Sequence, residues 1–333
     1  MKVLIVRLGA IGDIVHTVPV AAALRRARPD WTIDWLVDRR HQRALALFPV
    51  TSQVVAVDPA GSWRTTVAVV GRLRAASYDA VLDAQGLLKS AVLARLAGGA
   101  RTIGFERQWL REPAAAWFYT EAVDATGTVH VAERNLRLLR ALGVHDARID
   151  MPLRVPQSPV ADDVAAAAAA RYGIVNPGAG WPNKQWPPAR WGQLVAELRR
   201  RHAFPWIVVW GPGEEPLARA VEEASAGAAM MAPATSLEDL AALLARATMV
   251  LAGDTGPLHL AAAAGTPIVG VYGPTDPARN GPWSSEDICV SRFSACECHH
   301  KRRCSAASWC LESVSVDEMV LAVEQRLTRT AQR

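Results

Sequence analysis

The run Gly253-Asp254-Thr255-Gly256-Pro257-Leu258-His259 follows an apolar stretch, Thr248 to Ala252, and leads into small residues ending at Pro267. A strand entering a Gly-Asp-Thr-Gly turn, with proline near the helix start where it costs least, gathers free backbone N–H groups at one point. The positive end of the helix dipole lies there too, which suits a phosphate. Asp254 and Thr255 add polar side chains, and His259 falls on the first helical turn. The alanines let the helix pack close to its sheet. A second apolar strand, Ile268 to Val271, ends in another polar loop on the same edge, Tyr272 to Pro277. A plain βαβ unit with a tight turn has the same local pattern. Two polar loops at successive strand ends favour a ligand site.

Three further segments carry chemistry. Loop Gly9–Asp13 joins the first strand to the first helix, at the carboxyl edge where open α/β sheets bind ligands. Asp13 is placed either to cap that helix or to act as a general base. Asn176 to Pro187 holds three glycine or alanine positions that allow close backbone approach, and Lys184 supplies a point charge for a diphosphate. Glu214 and Glu215 open a helix after the strand Trp206–Trp210; acids there stabilise the helix dipole.

The charge distribution adds a partner class. Residues 1–158 hold 21 Lys+Arg against 14 Asp+Glu, whereas residues 159–333 hold 16 against 18. A basic first half points to an acidic ligand. Arg39, Arg40, Arg43, Lys89, Arg107 and Arg111 follow strands or sit in long loops of that half. Arginines grip carboxylates and phosphates bidentately.

Late in the chain, Cys296, Cys298, Cys304 and Cys310 cluster in a polar, basic segment with His299 and His300. Four thiolates would form a closed structural site for zinc or iron. The spacing is not that of a standard zinc finger, so free, reduced thiols are the other reading.

The elements that position these residues alternate as strand and amphipathic helix, the pattern of parallel sheets with helices on both faces. The 333 residues suit two domains. Strands are expected at Lys2–Val6, Trp31–Val37, Val54–Val57, Ala80–Leu82 and Thr102–Gly104, then at Gly173–Asn176, Trp206–Trp210, Ala228–Met231, Thr248–Ala252 and Ile268–Tyr272. Among the helices, His16–Arg28 and Gly61–Ala76 are expected, and the alanines Ala165–Ala170 favour another. The prolines of Met151–Pro159 mark an extended connector. Domains are therefore expected at 1–155 and 156–315, with a closing helical segment, 316–333. No apolar stretch approaches the roughly 20 residues of a membrane span. Val3–Val6 is too short for a signal peptide, so a cytoplasmic protein is expected.

With these motifs in order, the chain resembles the ADP-heptose:lipopolysaccharide heptosyltransferases. The likeness rests on Gly12-Asp13 with His16-Thr17, on Asp83-Ala84-Gln85-Gly86-Leu87-Leu88-Lys89-Ser90, on Arg111-Glu112-Pro113, on Lys184 with Trp186-Pro187, and on Gly253 to His259. The middle segments look like the branch that adds the first heptose to Kdo of lipid A. The resemblance implies a GT-B glycosyltransferase: α/β, with two facing Rossmann-like domains, a cleft between them, and a last helix that returns toward the first domain. It implies an inverting transfer without a catalytic cofactor. Asp13 would be the base. Lys184, Glu215, Asp254, Thr255, Gly256 and His259 would hold the ADP-heptose donor, with Glu214 a one-residue alternative for the ribose. Arg39, Arg40, Arg43, Lys89 and Arg111 would meet the acidic lipid A–Kdo acceptor at the inner face of the inner membrane, with no nucleic-acid partner. A nucleotide-sugar epimerase, an NAD-dependent oxidoreductase using Gly9–Asp13, and a binding protein without turnover are the rival readings.

Overall fold

A computed structural model describes residues 1–299 and 301–331, so His300 of the cysteine segment and the end of the segment 316–333 lie outside the described residues. The chain forms two compact units, Met1–Arg154 and Val155–Arg333. No helix among the described residues is long and apolar enough to cross a membrane.

The first unit holds strands β1 (Lys2–Val6), β2 (Thr32–Asp38), β3 (Gln53–Val57), β4 (Ala80–Asp83), β5 (Arg101–Phe105) and β6 (Glu121–Val123). They pair in parallel in the order β3-β2-β1-β4-β5-β6. Both faces are covered, which is why central strands such as Val3-Leu4-Ile5-Val6 are wholly apolar. The helices are α1 (Ile11–Val15), α2 (Val18–Ala27), α3 (Gln42–Ala46), α4 (Trp63–Ala75), α5 (Leu88–Leu96) and α6 (Val131–Arg137).

The second unit repeats the plan. Its strands are β7 (Gly173–Asn176), β8 (Trp206–Val208), β9 (Ala229–Met231), β10 (Met249–Gly253), β11 (Ile268–Tyr272) and β12 (Ile288–Ser291). Their order is β12-β11-β10-β7-β8-β9, again parallel. The helices are α7 (Pro159–Ala167), α8 (Pro188–Arg201), α9 (Glu215–Ala224), α10 (Leu237–Arg246), α11 (Gly256–Ala263), α12 (Pro277–Asn280) and α13 (Val316–Ala331). Trp186, Trp191, Trp206 and Leu251 lie in its core, and α13 packs on α8, β11 and β12 of this same unit.

In each sheet the strand order reverses at one place, between β1 and β4 and between β7 and β10. A crevice opens at the carboxyl ends of strands at such a switch point. Three of the four loops at these strand ends are the ones singled out by their residues. The fourth follows β4.

Three expectations need correction. The helix expected over His16–Arg28 starts two residues later, at Val18, and a separate short helix, α1, precedes it, because Pro19 lacks an N–H and the chain bends at Thr17. Asn135 Nδ2 holds the bend by donating to the His16 carbonyl at 3.1 Å and to Thr17 Oγ1 at 3.0 Å. The alanine run does not continue as helix: α7 stops at Ala167, and Ala169 and Ala170 adopt φ of 52° and 63°. Burial of Tyr172 at the head of β7 overrides helix propensity there. The edge strands β6 and β12 were not expected. They are short, and β12 is only half buried, so neither gives a strong apolar signal.

Candidate active site

At the first switch point, β1 ends in a loop tied to the end of β4. Leu8 N–H donates to Gln85 Oε1 at 2.8 Å, and Arg7 Nη1 donates to the Ala84 carbonyl at 2.5 Å. The buried Arg7 turns its other nitrogen, Nη2, to Asp13 Oδ1 at 2.6 Å. The Ala10 N–H donates to Asp13 Oδ2 at 3.1 Å. Asp13 thus closes α1 as a helix cap would, yet its side chain remains 46% exposed. The carboxylate is oriented and still open to solvent. Gly9 is required here, since any β-carbon would overlap the ring of His41. Burial lowers the pKa of that histidine.

Asp83, at the end of β4, is fully buried. Burial pushes its carboxyl up, against hydrogen bonds from Tyr119 Oη (2.8 Å), Ser90 Oγ (3.0 Å) and the Gln85 N–H (2.9 Å). It braces the loop and does not face solvent.

The basic residues of this unit fall in two groups. Arg39, Arg40 and Arg43 lie on the turn and helix after β2 and are exposed. Arg40 grips Asp38, with Nη2–Oδ2 at 2.7 Å and Nε–Oδ1 at 3.1 Å. Lys89, Arg107 and Arg111 are exposed around the start of α5 and the loop after β5. That loop is fastened to α5 by the Leu88 N–H, which donates to Glu112 Oε2 at 2.7 Å.

The second switch point is a closed network. Lys184 Nζ meets Asp254 Oδ2 at 2.5 Å, with the two side chains 15% and 5% exposed. His259 Nε2 lies 3.1 Å from Asp254 Oδ1, and Asn280 Nδ2 donates to Oδ2 at 3.1 Å. Burial alone would raise the Asp254 pKa. The His259 hydrogen bond and the Lys184 charge outweigh it and hold the carboxyl far below the usual range. Asn176 Nδ2 donates to Thr255 Oγ1 and to the Gly178 carbonyl, both at 3.2 Å, joining the loop after β7 to the turn after β10. Trp181 lies under the Lys184 ammonium, 4.6 Å from ring centroid to Nζ. Gly256 begins α11, so its helix terminus points into this network.

The structure separates the two glutamates. Glu215 is exposed and paired with Arg219 one turn along α9, at 2.8 Å. Glu214 instead accepts from the Gly211 N–H at 2.9 Å and packs against Gly178, where any β-carbon would overlap its carboxylate. The carboxylate beside the Asn176–Lys184 loop is therefore Glu214. Sequence reasoning also missed Arg7, Gln85, Trp181 and Asn280. Gln85 and Trp181 lie inside segments singled out by their residues, and Asn280 lies just beyond the second polar loop, Tyr272–Pro277; Arg7 had no signal.

All five cysteines are free thiols. Cys298 Sγ lies 3.2 Å from Cys304 Sγ and accepts from the Ser305 N–H at 3.2 Å. Cys296 interacts with Cys310, whose thiol is pushed up to about 12, chiefly by burial. Among the described residues, no group of three or more His, Cys, Asp or Glu is placed to share one ion.

With this geometry established, comparisons with known proteins supply the context. Residues 66–310 match glycosyltransferase family 9 (heptosyltransferase). Lipopolysaccharide heptosyltransferase 1 of Pseudomonas aeruginosa is 31% identical over 326 residues, covering 92% of this chain and 88% of that one. Among solved structures, the Escherichia coli heptosyltransferase WaaC with ADP matches at a TM-score of 0.77 and 29% identity, covering 100% of both chains. The same enzyme with ADP-2-deoxy-2-fluoro heptose matches at 0.76 and 28%, over 98% of this chain and 99% of the other.

Proposed function

The chain belongs to glycosyltransferase family 9, the heptosyltransferases, and as such a glycosyltransferase it moves heptose, we propose, from ADP-heptose to Kdo of lipid A in the lipopolysaccharide inner core. The observation that carries this reading is the near full-length likeness to a heptosyltransferase solved with ADP-2-deoxy-2-fluoro heptose. The family assignment sets aside the epimerase and nicotinamide readings.

The proposed step is one displacement. An acceptor hydroxyl attacks the anomeric carbon while its proton passes to Asp13. The bond from that carbon to the diphosphate oxygen breaks, ADP departs, and the anomeric centre inverts. Lys184 and the α11 terminus near Thr255 and Gly256 receive the charge growing on the diphosphate. Asp254 and His259 hold Lys184 in place, and Glu214 reaches the nucleotide ribose. Arg39, Arg40, Arg43, Lys89 and Arg111 meet the anionic groups of the acceptor, which would bring the protein to the cytoplasmic face of the inner membrane. This step calls for no cofactor. The test is incubation with ADP-heptose and heptose-deficient lipopolysaccharide. A product heavier by one heptose is expected, and its absence with active donor and acceptor would reject the reading.

The cysteines form the second part of the proposal. A structural zinc or iron would need the pairs Cys296–Cys310 and Cys298–Cys304 to converge on one ion. Elemental analysis of protein purified without added metal decides it: near-stoichiometric zinc or iron supports the staple, and five titratable thiols without metal reject it.

A further inference from the structure

Two tryptophans stand in solvent, both in the first unit: Trp63, 71% exposed, and Trp117, 76% exposed. Trp63 opens α4, and Val67, one turn on along the same side, is 58% exposed. The Arg64 guanidinium lies 5.7 Å from the Trp63 ring centroid, and Arg72 is exposed two turns beyond Arg64. No acidic residue occurs between Asp58 and Asp79, so nothing on this helix offsets its arginines. The contrast with α8 is direct. There Arg200 and Arg201 both pair with Glu197.

Topology brings Trp63, Leu88 and Trp117, three of the exposed apolar residues, to one end of one layer. Trp63 follows the carboxyl end of β3. Leu88, 42% exposed, follows that of β4 and opens α5. Helices α4 and α5 touch, and the segment Pro113–Phe118 that carries Trp117 packs on α5. Tryptophans with flanking arginines and no acids are the composition that settles at the headgroup level of a bilayer.

The geometry points to this face, centred on Trp63, Arg64 and Val67, flanked by Arg72 and continued by Leu88 and Trp117, as a docking surface for an anionic lipid bilayer. The inference deepens the reading of a lipid-borne acceptor and rests on it. The tryptophans enter the interface while the arginines meet lipid phosphates, which holds the carboxyl edge of the first sheet against the membrane.

Co-sedimentation with vesicles of phosphatidylglycerol and phosphatidylcholine tests it on the full chain, with phosphatidylcholine alone as reference. The wild type should partition into the anionic vesicles and not the neutral ones. Arg64→Glu with Arg72→Glu should weaken partition about thirtyfold or more, given the typical worth of each basic residue at an anionic surface. Trp63→Ser with Val67→Ser should weaken it at unchanged charge, and Arg199→Glu on α8 should change nothing. All variants should keep wild-type transfer to a deacylated, water-soluble acceptor. Equal sedimentation of wild type and both double variants overturns the surface, as does a wild type that ignores anionic vesicles. Light scattering that shows Trp63→Ser/Val67→Ser turning a dimer into a monomer, with vesicle partition unchanged, assigns the face to a second copy and also overturns it. Normal partition without any transfer to the soluble acceptor would instead sink the enzymatic reading and leave the surface standing.

Discussion

The two units have the same strand order and each carries an aspartate at its switch point, Asp13 after the first strand and Asp254 after the fourth, yet they treat it in opposite ways. At the first switch point Asp13 is half exposed, steadied by Arg7 and the Ala10 N–H, with room for a proton to arrive. At the second, Asp254 is buried, bonded through both oxygens and held ionised by Lys184 and His259. A carboxylate with so depressed a pKa is a poor base at neutral pH; it is a fixed charge that positions a lysine. Burial and partner count, more than residue type, separate an aspartate open to a proton from one that serves as a fixed charge.

The largest effect that could break this contrast is at Asp13. Asp13→Asn should slow transfer roughly a hundredfold or more, the usual worth of a general base, with the fold intact. Turnover near wild type would remove the catalytic assignment and leave Asp13 a helix cap. The next largest is structural. Lys184→Met strips a buried carboxylate of its main counter-charge and should cost about 3 kcal/mol of stability in denaturant unfolding. Adding Asp254→Asn should restore most of that loss while leaving nucleotide binding weak. Independent, additive losses would show that the pair is not a unit.

The same pair gives a pH test with a definite sign. The folded-state pKa of Asp254 is depressed, so its stabilisation is fully present above the unfolded carboxyl value, about 3.9. It is lost as pH falls below that value toward the depressed one. The stability difference between wild type and Lys184→Met should therefore stay flat from pH 7 to about 5 and shrink only in stronger acid. A difference that fades by pH 6 would contradict the network.

Much of this contrast was legible in the sequence because it rests on local chemistry. A glycine-rich turn between an apolar strand and a small-residue helix marked Asp254 and His259, and the loop after the first strand marked Asp13. What was not legible depends on which distant segments meet. Arg7 reaches Asp13 only because β1 lies beside β4 and Gln85 fixes the loop between them. Asn280 reaches Asp254 only through the short helix after β11. The alanine run shows the same limit. Its propensity was read correctly, but the place where it had to end was set by burial of Tyr172.

The smallest prediction sharpens the binding half. Glu214→Gln should weaken ADP binding by about 1 kcal/mol, the worth of one hydrogen bond, whereas Glu215→Gln should fall within error. The reverse ranking would return the ribose role to Glu215.

The division of labour between the two switch points is tested most directly by calorimetric titration of ADP into Asp13→Asn and Lys184→Ala side by side. Asp13→Asn should bind with wild-type affinity, and Lys184→Ala should lose about 1.5–3 kcal/mol of binding free energy, the range for a charge-assisted contact. Unchanged affinity in Lys184→Ala, or a comparable loss in Asp13→Asn, would contradict the assignment of chemistry to the first unit and donor binding to the second.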